Sequence, residues 1–157
     1  MPRLQFVTDL DASQECVWEF HSTLDALEAL TPPGTKIELP DPRPALELGA
    51  RVAIVVTQPP VPFPLRWESV MTVWEPPLRF VDEQGSFGPW KTWHHEHRFD
   101  DLGGGRTRLT DTIDYEPPFG PLGKIADALF LRRQITAGFT YRHAKTRELL
   151  ESNPRSE

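Results

Sequence analysis

Seventeen of the 157 residues are proline, and their placement constrains the fold more than any other feature of the chain. They cluster as Pro32-Pro33, then Pro40, Pro42 and Pro44, then Pro59 to Pro64, Pro76-Pro77, Pro89 and Pro117-Pro118. Proline has no backbone N–H to give to a sheet ladder, so such clusters mark joints between strands rather than strand interiors. From Gly123 to Leu150 there is no proline at all. A chain cut at short intervals and then left uninterrupted is predicted to be strand-rich, with one long helix at its end.

The segments between the prolines support that division. Leu4 to Leu10 alternates as a first strand. Asp11 or Ser13 can cap a short helix carrying Val17, Trp18 and Phe20, and Thr23 or Asp25 a second with Leu24, Leu27 and Leu30. Lys36 to Leu39, Arg51 to Gln58, Leu65 to Glu75, Arg79 to Gln84, Trp90 to Asp100 and Arg106 to Glu116 read as strands, the last two joined by Asp101-Leu102-Gly103-Gly104-Gly105. Strands joined by short loops pair antiparallel. In the final segment Leu122, Ile125, Leu129, Thr136, Phe139, His143 and Leu150 fall near one stripe at helical spacing. The expected fold is α+β: a curved antiparallel sheet, two short N-terminal helices, and a long C-terminal helix packed on the sheet. The length suits one domain, expected over residues 1–151, with 152–157 a flexible tail.

Charge and composition exclude several functions. Seventeen basic against 23 acidic residues give a net charge of -6, which disfavours nucleic acid and anionic membrane surfaces as partners. A single cysteine, Cys16, excludes a disulfide framework and a zinc ribbon. It sits among apolar residues and reads as a small core residue. No apolar run is long enough to span a membrane and the N-terminus lacks a signal-peptide core, so the expected location is cytoplasmic. Gly103-Gly104-Gly105 lacks the Lys-Ser/Thr of a phosphate-binding loop and reads as a hairpin tip. No cofactor motif is present.

Chemistry concentrates at Trp93-His94-His95-Glu96-His97-Arg98-Phe99. On a strand Trp93, His95, His97 and Phe99 share one face, and His94, Glu96 and Arg98 the other. The first set is uncharged and flanked by aromatics, so it is expected to point inward. The following strand offers Thr107, Leu109, Asp111, Ile113 and Tyr115 on its apolar face. If residues 100–106 close the hairpin symmetrically, His97 faces Leu109 and His95 faces Asp111. An inward carboxylate beside two inward histidines supports several readings. It can be a satisfied structural pair, a ligand-orienting pole or a general acid–base pair. A metal site is not expected here, since two-histidine-one-carboxylate sites sit in more open, polar pockets. Trp67 and Trp74 differ by an odd number and are expected on opposite faces of their strand.

The element order, with Trp93 to Phe99, Gly105-Arg106-Thr107-Arg108-Leu109-Thr110-Asp111, Tyr115 to Gly123, Arg79 to Gln84 and Ala12 to Phe20, resembles the START-like, or SRPBCC, superfamily. That superfamily includes birch-pollen-allergen-like proteins and polyketide cyclases/dehydrases. The resemblance implies a helix-grip fold whose sheet and last helix enclose a cavity for a hydrophobic or amphipathic small molecule. It does not by itself imply a reaction. The expected ligand-binding residues are Trp67, Met71, Trp93, His95, His97, Leu109, Asp111, Ile113, Tyr115, Leu129 and Phe139. A cyclase/dehydrase-type enzyme would draw its catalytic groups from His95, His97, Asp111 and Tyr115. A third possibility is a ligand-free interaction domain using Trp74, Trp90 and the Pro59–Pro64 loop. A monomer or a homodimer fits each.

Overall fold

The computed structural model describes residues 1–151; the expected tail at 152–157 lies outside the described residues. The chain runs β1 (Arg3–Leu10), α1 (Gln14–His21), α2 (Leu24–Ala29), β2 (Lys36–Glu38), β3 (Arg51–Thr57), β4 (Leu65–Glu75) and β5 (Arg79–Gln84). It continues with β6 (Thr92–Gly103), β7 (Arg106–Glu116), α3 (Gly120–Ala126), a π-helical turn at Asp127–Leu131, and α4 (Arg132–Glu151). The seven strands form one sheet in the order β1-β7-β6-β5-β4-β3-β2, every pair antiparallel. This is the α+β helix-grip arrangement: the curved sheet wraps the C-terminal helix, with α1 and α2 closing one end.

Local chemistry accounts for the element starts. Ser13 Oγ accepts from the Cys16 N–H at 3.2 Å, and Thr23 Oγ1 accepts from the Ala26 N–H at 3.3 Å. Each satisfies an orphan donor of its helix's first turn. Under α1 the core is built from Leu10, Val17, Phe80, Phe99, Leu109 and Leu150. Cys16 packs half-buried at its edge, with its thiol held protonated by burial and by Glu19. A second cluster, Trp93, Ile113, Tyr115 and Phe139, joins β6 and β7 to α4. A third, Leu24, Val52 and Ile54, lies beneath α2.

The β6–β7 hairpin differs from the symmetric closure expected of it. β6 continues to Gly103, which pairs with Arg106 across the two-residue turn Gly104-Gly105, with a bulge between Asp101 and Gly103. Gly103, Gly104 and Gly105 have φ of 80°, 63° and 75°, a run of left-handed backbone that glycine alone adopts cheaply. His97 therefore pairs with Asp111 and His95 with Ile113. The shift is two residues, an even number, so the inward set survives while each partner changes.

A second correction concerns β4. The register slips between Met71 and Val73, and one extra residue reverses the parity of the strand. Trp67 and Trp74 consequently both face inward. Trp74 packs edge-on against Trp18 at 5.1 Å and tilts over Phe80 at 5.4 Å. Trp90 stacks on Trp93 at 5.2 Å. Neither Trp74 nor Trp90 is the exposed contact residue the interaction-domain possibility requires.

The third correction lies in the last helix. A π turn adds one residue to the winding, which rotates the side chains before it by about 100° relative to those after it. The buried face of α4 is Phe139, His143, Thr146 and Leu150, with Ile135 half-buried and Thr136 exposed. Leu122, Ile125 and Leu129 are exposed, Leu129 to 72%, although Leu122 also borders the cavity described below. Among the described residues no helix is long and apolar enough to cross a membrane.

Candidate functional site

Between the concave face of the sheet, α2 and α4 lies a cavity of about 600 Å³, within the size range of small-molecule sites. Its walls are mostly apolar: Leu24 and Leu27 from α2, Val52 and Ile54 from β3, Trp67 and Met71 from β4, Trp93 from β6 and Phe139 from α4. Its charged groups, Asp82 and Arg142, gather at one pole with His95 and His97.

Strand alternation builds that pole. Phe80 and Asp82 face inward from β5, His95 and His97 from β6, Asp111 from β7, with Asp82 opposite His95 and His97 opposite Asp111. His95 Nε2 donates to Asp111 Oδ1 at 2.7 Å, and His97 Nε2 donates to Asp82 Oδ1 at 2.8 Å. From α4, His143 Nε2 donates to Asp111 Oδ2 at 2.7 Å, and its Nδ1 lies 2.8 Å from Thr8 Oγ1. A carboxylate only accepts, so the ring nitrogens that face Asp111 and Asp82 at these distances carry the protons. His97 stacks on Phe80 with ring centroids 4.1 Å apart, and His95 meets Phe139 edge-on at 5.0 Å.

The electrostatics follow from burial opposed by pairing. Burial works against the His95 imidazolium, but Asp82 and Asp111 outweigh it and push its pKa up to about 9. Burial likewise works against the Asp82 carboxylate, which His95 and His97 nevertheless hold below the usual range. Asp111 is held well below that range by His143, His95 and His97, again against burial. His21, at the α1 end of the cavity, has only a backbone partner, the Val17 carbonyl at 2.9 Å. Burial dominates there and lowers its pKa to about 4. Arg142 reaches the pole with its guanidinium 5.3 Å from the Phe139 ring centroid. Burial lowers its pKa against the pull of Asp111 and Asp82.

Of the residues singled out in the sequence, Trp67, Met71, Trp93, His95, His97 and Phe139 line the cavity. Leu109, Asp111, Ile113 and Tyr115 are buried on the inward face but stand behind that wall. Leu129 is outside the site because the π turn directs it to solvent. Tyr115 is no free donor: its hydroxyl donates to the buried Asp127 in the π turn, and burial followed by Asp127 pushes its pKa up to about 12. Sequence reasoning missed Asp82, His21 and His143 as members of the site. Alternation along Phe80, Asp82 and Gln84 was a signal for the first. Spacing of four from Phe139 marked His143 as inward, without revealing that it reaches Asp111.

Comparison with solved structures places the fold among known ones. A protein from Arthrobacter aurescens is 18% identical, with a TM-score of 0.72 over 99% of this chain and 89% of that one. Norcoclaurine synthase from Thalictrum flavum is 14% identical, with a TM-score of 0.70 over 97% and 87%. The ZhuI aromatase/cyclase from Streptomyces sp. R1128 is 15% identical, with a TM-score of 0.64 over 94% of this chain and 95% of that one. At such identities the likeness is one of fold. No curated protein matches the chain by sequence. The family described as polyketide cyclase / dehydrase and lipid transport matches residues 10–140, and with a helix-grip fold around an apolar cavity the chain belongs to that family.

Proposed function

We propose that this domain binds one amphipathic small molecule, its apolar body against α2, β3 and β4 and its polar end at Asp82, His95, His97 and Arg142. The observation that carries the reading is the cavity itself: about 600 Å³, apolar along most of its wall and polar at one pole. Such a site gains affinity from apolar burial and orientation from a few convergent donors and acceptors. Arg142 supports the assignment of the pole, since it lines the cavity and its guanidinium feels Asp111 and Asp82. Titration with the neutral apolar probe N-phenyl-1-naphthylamine tests the reading. Saturable binding of one probe per chain, with quenching of the fluorescence from Trp67, Trp90 and Trp93, is the expected result. Absence of saturable binding would overturn it.

A second reading, proton transfer to or from the bound molecule, draws on the same pole. It is favoured by Asp111 standing behind both cavity-lining rings, 2.7 Å from His95 Nε2 and 3.2 Å from His97 Nδ1. It differs in requiring turnover. Protein-dependent deuterium exchange next to the carbonyl of a bound ketone, lost in Asp111→Asn, would distinguish it from simple binding.

A further inference from the structure

The pole of the cavity contains an arrangement that binding an apolar molecule does not require. Asp82 Oδ1 lies 2.8 Å from His97 Nε2 and 3.4 Å from His95 Nδ1, and one ligand atom from each of the three residues lies within 4.8 Å of the other two. We propose that Asp82, His95 and His97 form a binding site for a divalent first-row transition ion such as Zn²⁺, opening on the cavity.

The His95–Asp82 spacing suits a shared ion, and the 2.8 Å from Asp82 to His97 Nε2 has to open by a few tenths of an ångström. Two donors each about 2.1 Å from one ion, at roughly 90–110°, stand about 3.0–3.4 Å apart. The 3.4 Å between His95 Nδ1 and Asp82 falls at that edge and is long for a hydrogen bond. The support behind the rings also fits. Imidazoles that bind metals usually give their other ring N–H to a carboxylate. Asp111 Oδ1 occupies that position for both rings, on the side away from Asp82. Asp111 is itself held by His143 and, through it, Thr8.

One buried atom points the same way. With its proton on Nε2, facing Asp82, His97 leaves Nδ1 buried and without a hydrogen-bond partner. That lone pair then faces the lone pairs of Asp111 Oδ1 at 3.2 Å. An ion on Nε2 moves the ring proton to Nδ1, where it donates to Asp111. His95 keeps its Nε2–H on Asp111, and the ion takes the place of the Nδ1 proton that faces Asp82. With the ion in place, each imidazole has one metal bond and one hydrogen bond, and neither histidine keeps an orphaned nitrogen.

Donor chemistry selects the class of ion. Two imidazoles and one carboxylate, without thiolate, suit zinc, iron, cobalt or manganese better than calcium or magnesium. Three protein ligands leave a coordination position free, and all three residues line the cavity, so an oxygen of a bound molecule can complete the shell. From sequence a metal site is not expected, because such sites sit in more open, polar pockets, and the carboxylate placed beside the histidines is Asp111. The ligating carboxylate, Asp82, enters from the neighbouring strand.

The test uses untagged protein, stripped with chelator, dialysed and titrated with ZnCl₂ by calorimetry. One ion per chain is expected, with binding weakened on the order of 100-fold in Asp82→Asn and about 10–100-fold in Asp111→Asn. His94→Ala, on the opposite face of β6, should bind as the unaltered protein does. Binding that persists at full strength in both aspartate variants, or no binding at all, would overturn the site. A readout without substitution covers the case in which a variant fails to fold. On adding one equivalent of Zn²⁺ to the unaltered protein, NMR should show the ring protons of His95 and His97 shifting while those of His94 stay fixed. Unmoved His95 and His97 signals would show that protons alone fill the rings. N-phenyl-1-naphthylamine binding, measured with and without chelator, keeps the ion site separate from the cavity reading.

Discussion

Asp82 on β5 and Asp111 on β7 hold the same two imidazole rings from opposite sides of β6. Each carboxylate contacts both His95 and His97, at distances between 2.7 and 3.4 Å. Strand pairing produces this directly: Asp82 sits across from His95 on one side and Asp111 across from His97 on the other. The four side chains therefore form a closed set in which removing any member leaves a buried group unpaired.

Asp111 is expected to be the member whose loss costs most. Asp111→Ala leaves the N–H groups of His95 and His143 without acceptors in a buried setting, which should destabilise the fold by about 3–5 kcal/mol. Asp111→Asn keeps the volume and one acceptor oxygen and should cost less. Urea unfolding of both variants measures the difference. An alanine variant as stable as the parent protein would show that the histidines do not depend on this carboxylate.

Gly138 gives a substitution in which stability and binding move oppositely. It lies within α4, lines the cavity, and an added Cβ there would meet nothing within 4 Å. Gly138→Leu should stabilise the helix by about 1 kcal/mol through backbone propensity. Its side chain should also enter the cavity and weaken N-phenyl-1-naphthylamine binding. A higher Tm with unchanged probe affinity would place the bound molecule elsewhere.

His21 predicts a pH dependence on the acid side of neutrality. Its folded pKa of about 4 lies below the unfolded value near 6.5, so between those pH values the unfolded chain binds the extra proton. Stability should therefore fall as pH drops from about 6.5 to 4, by about 3 kcal/mol in total from this group. His21→Gln, which keeps a donor for the Val17 carbonyl, should flatten that limb. Denaturant midpoints measured at intervals across the range give the slope, and equal slopes in the two proteins would exclude His21 as its source.

Tyr115 separates a structural tyrosine from a catalytic one. Its hydroxyl is committed to Asp127, behind the cavity wall. Tyr115→Phe should leave Asp127 short of a donor and cost about 1–3 kcal/mol, with N-phenyl-1-naphthylamine binding unchanged. Weaker probe binding at unchanged stability would reverse this assignment.

By itself, the sequence determined the elements and the faces of those strands that run without irregularity. Proline placement cut the strands, Ser13 and Thr23 started the short helices, and strict alternation turned Trp93, His95, His97 and Phe99 inward. These are local properties, set by backbone chemistry and a two-residue repeat, and they need no knowledge of distant partners. Which groups met across the sheet was decided only by tertiary structure. The tight turn at Gly104-Gly105, with the bulge beside Gly103, moved Asp111 from His95 to His97 in the pairing, a bulge in β4 turned Trp74 inward, and a π turn sent Leu129 to solvent. Asp82 and His143 joined the site from a neighbouring strand and a helix 32 residues beyond Asp111. Each depends on a one-residue irregularity or a long-range packing contact, whose energy is decided by the assembled core and leaves little trace in local spacing.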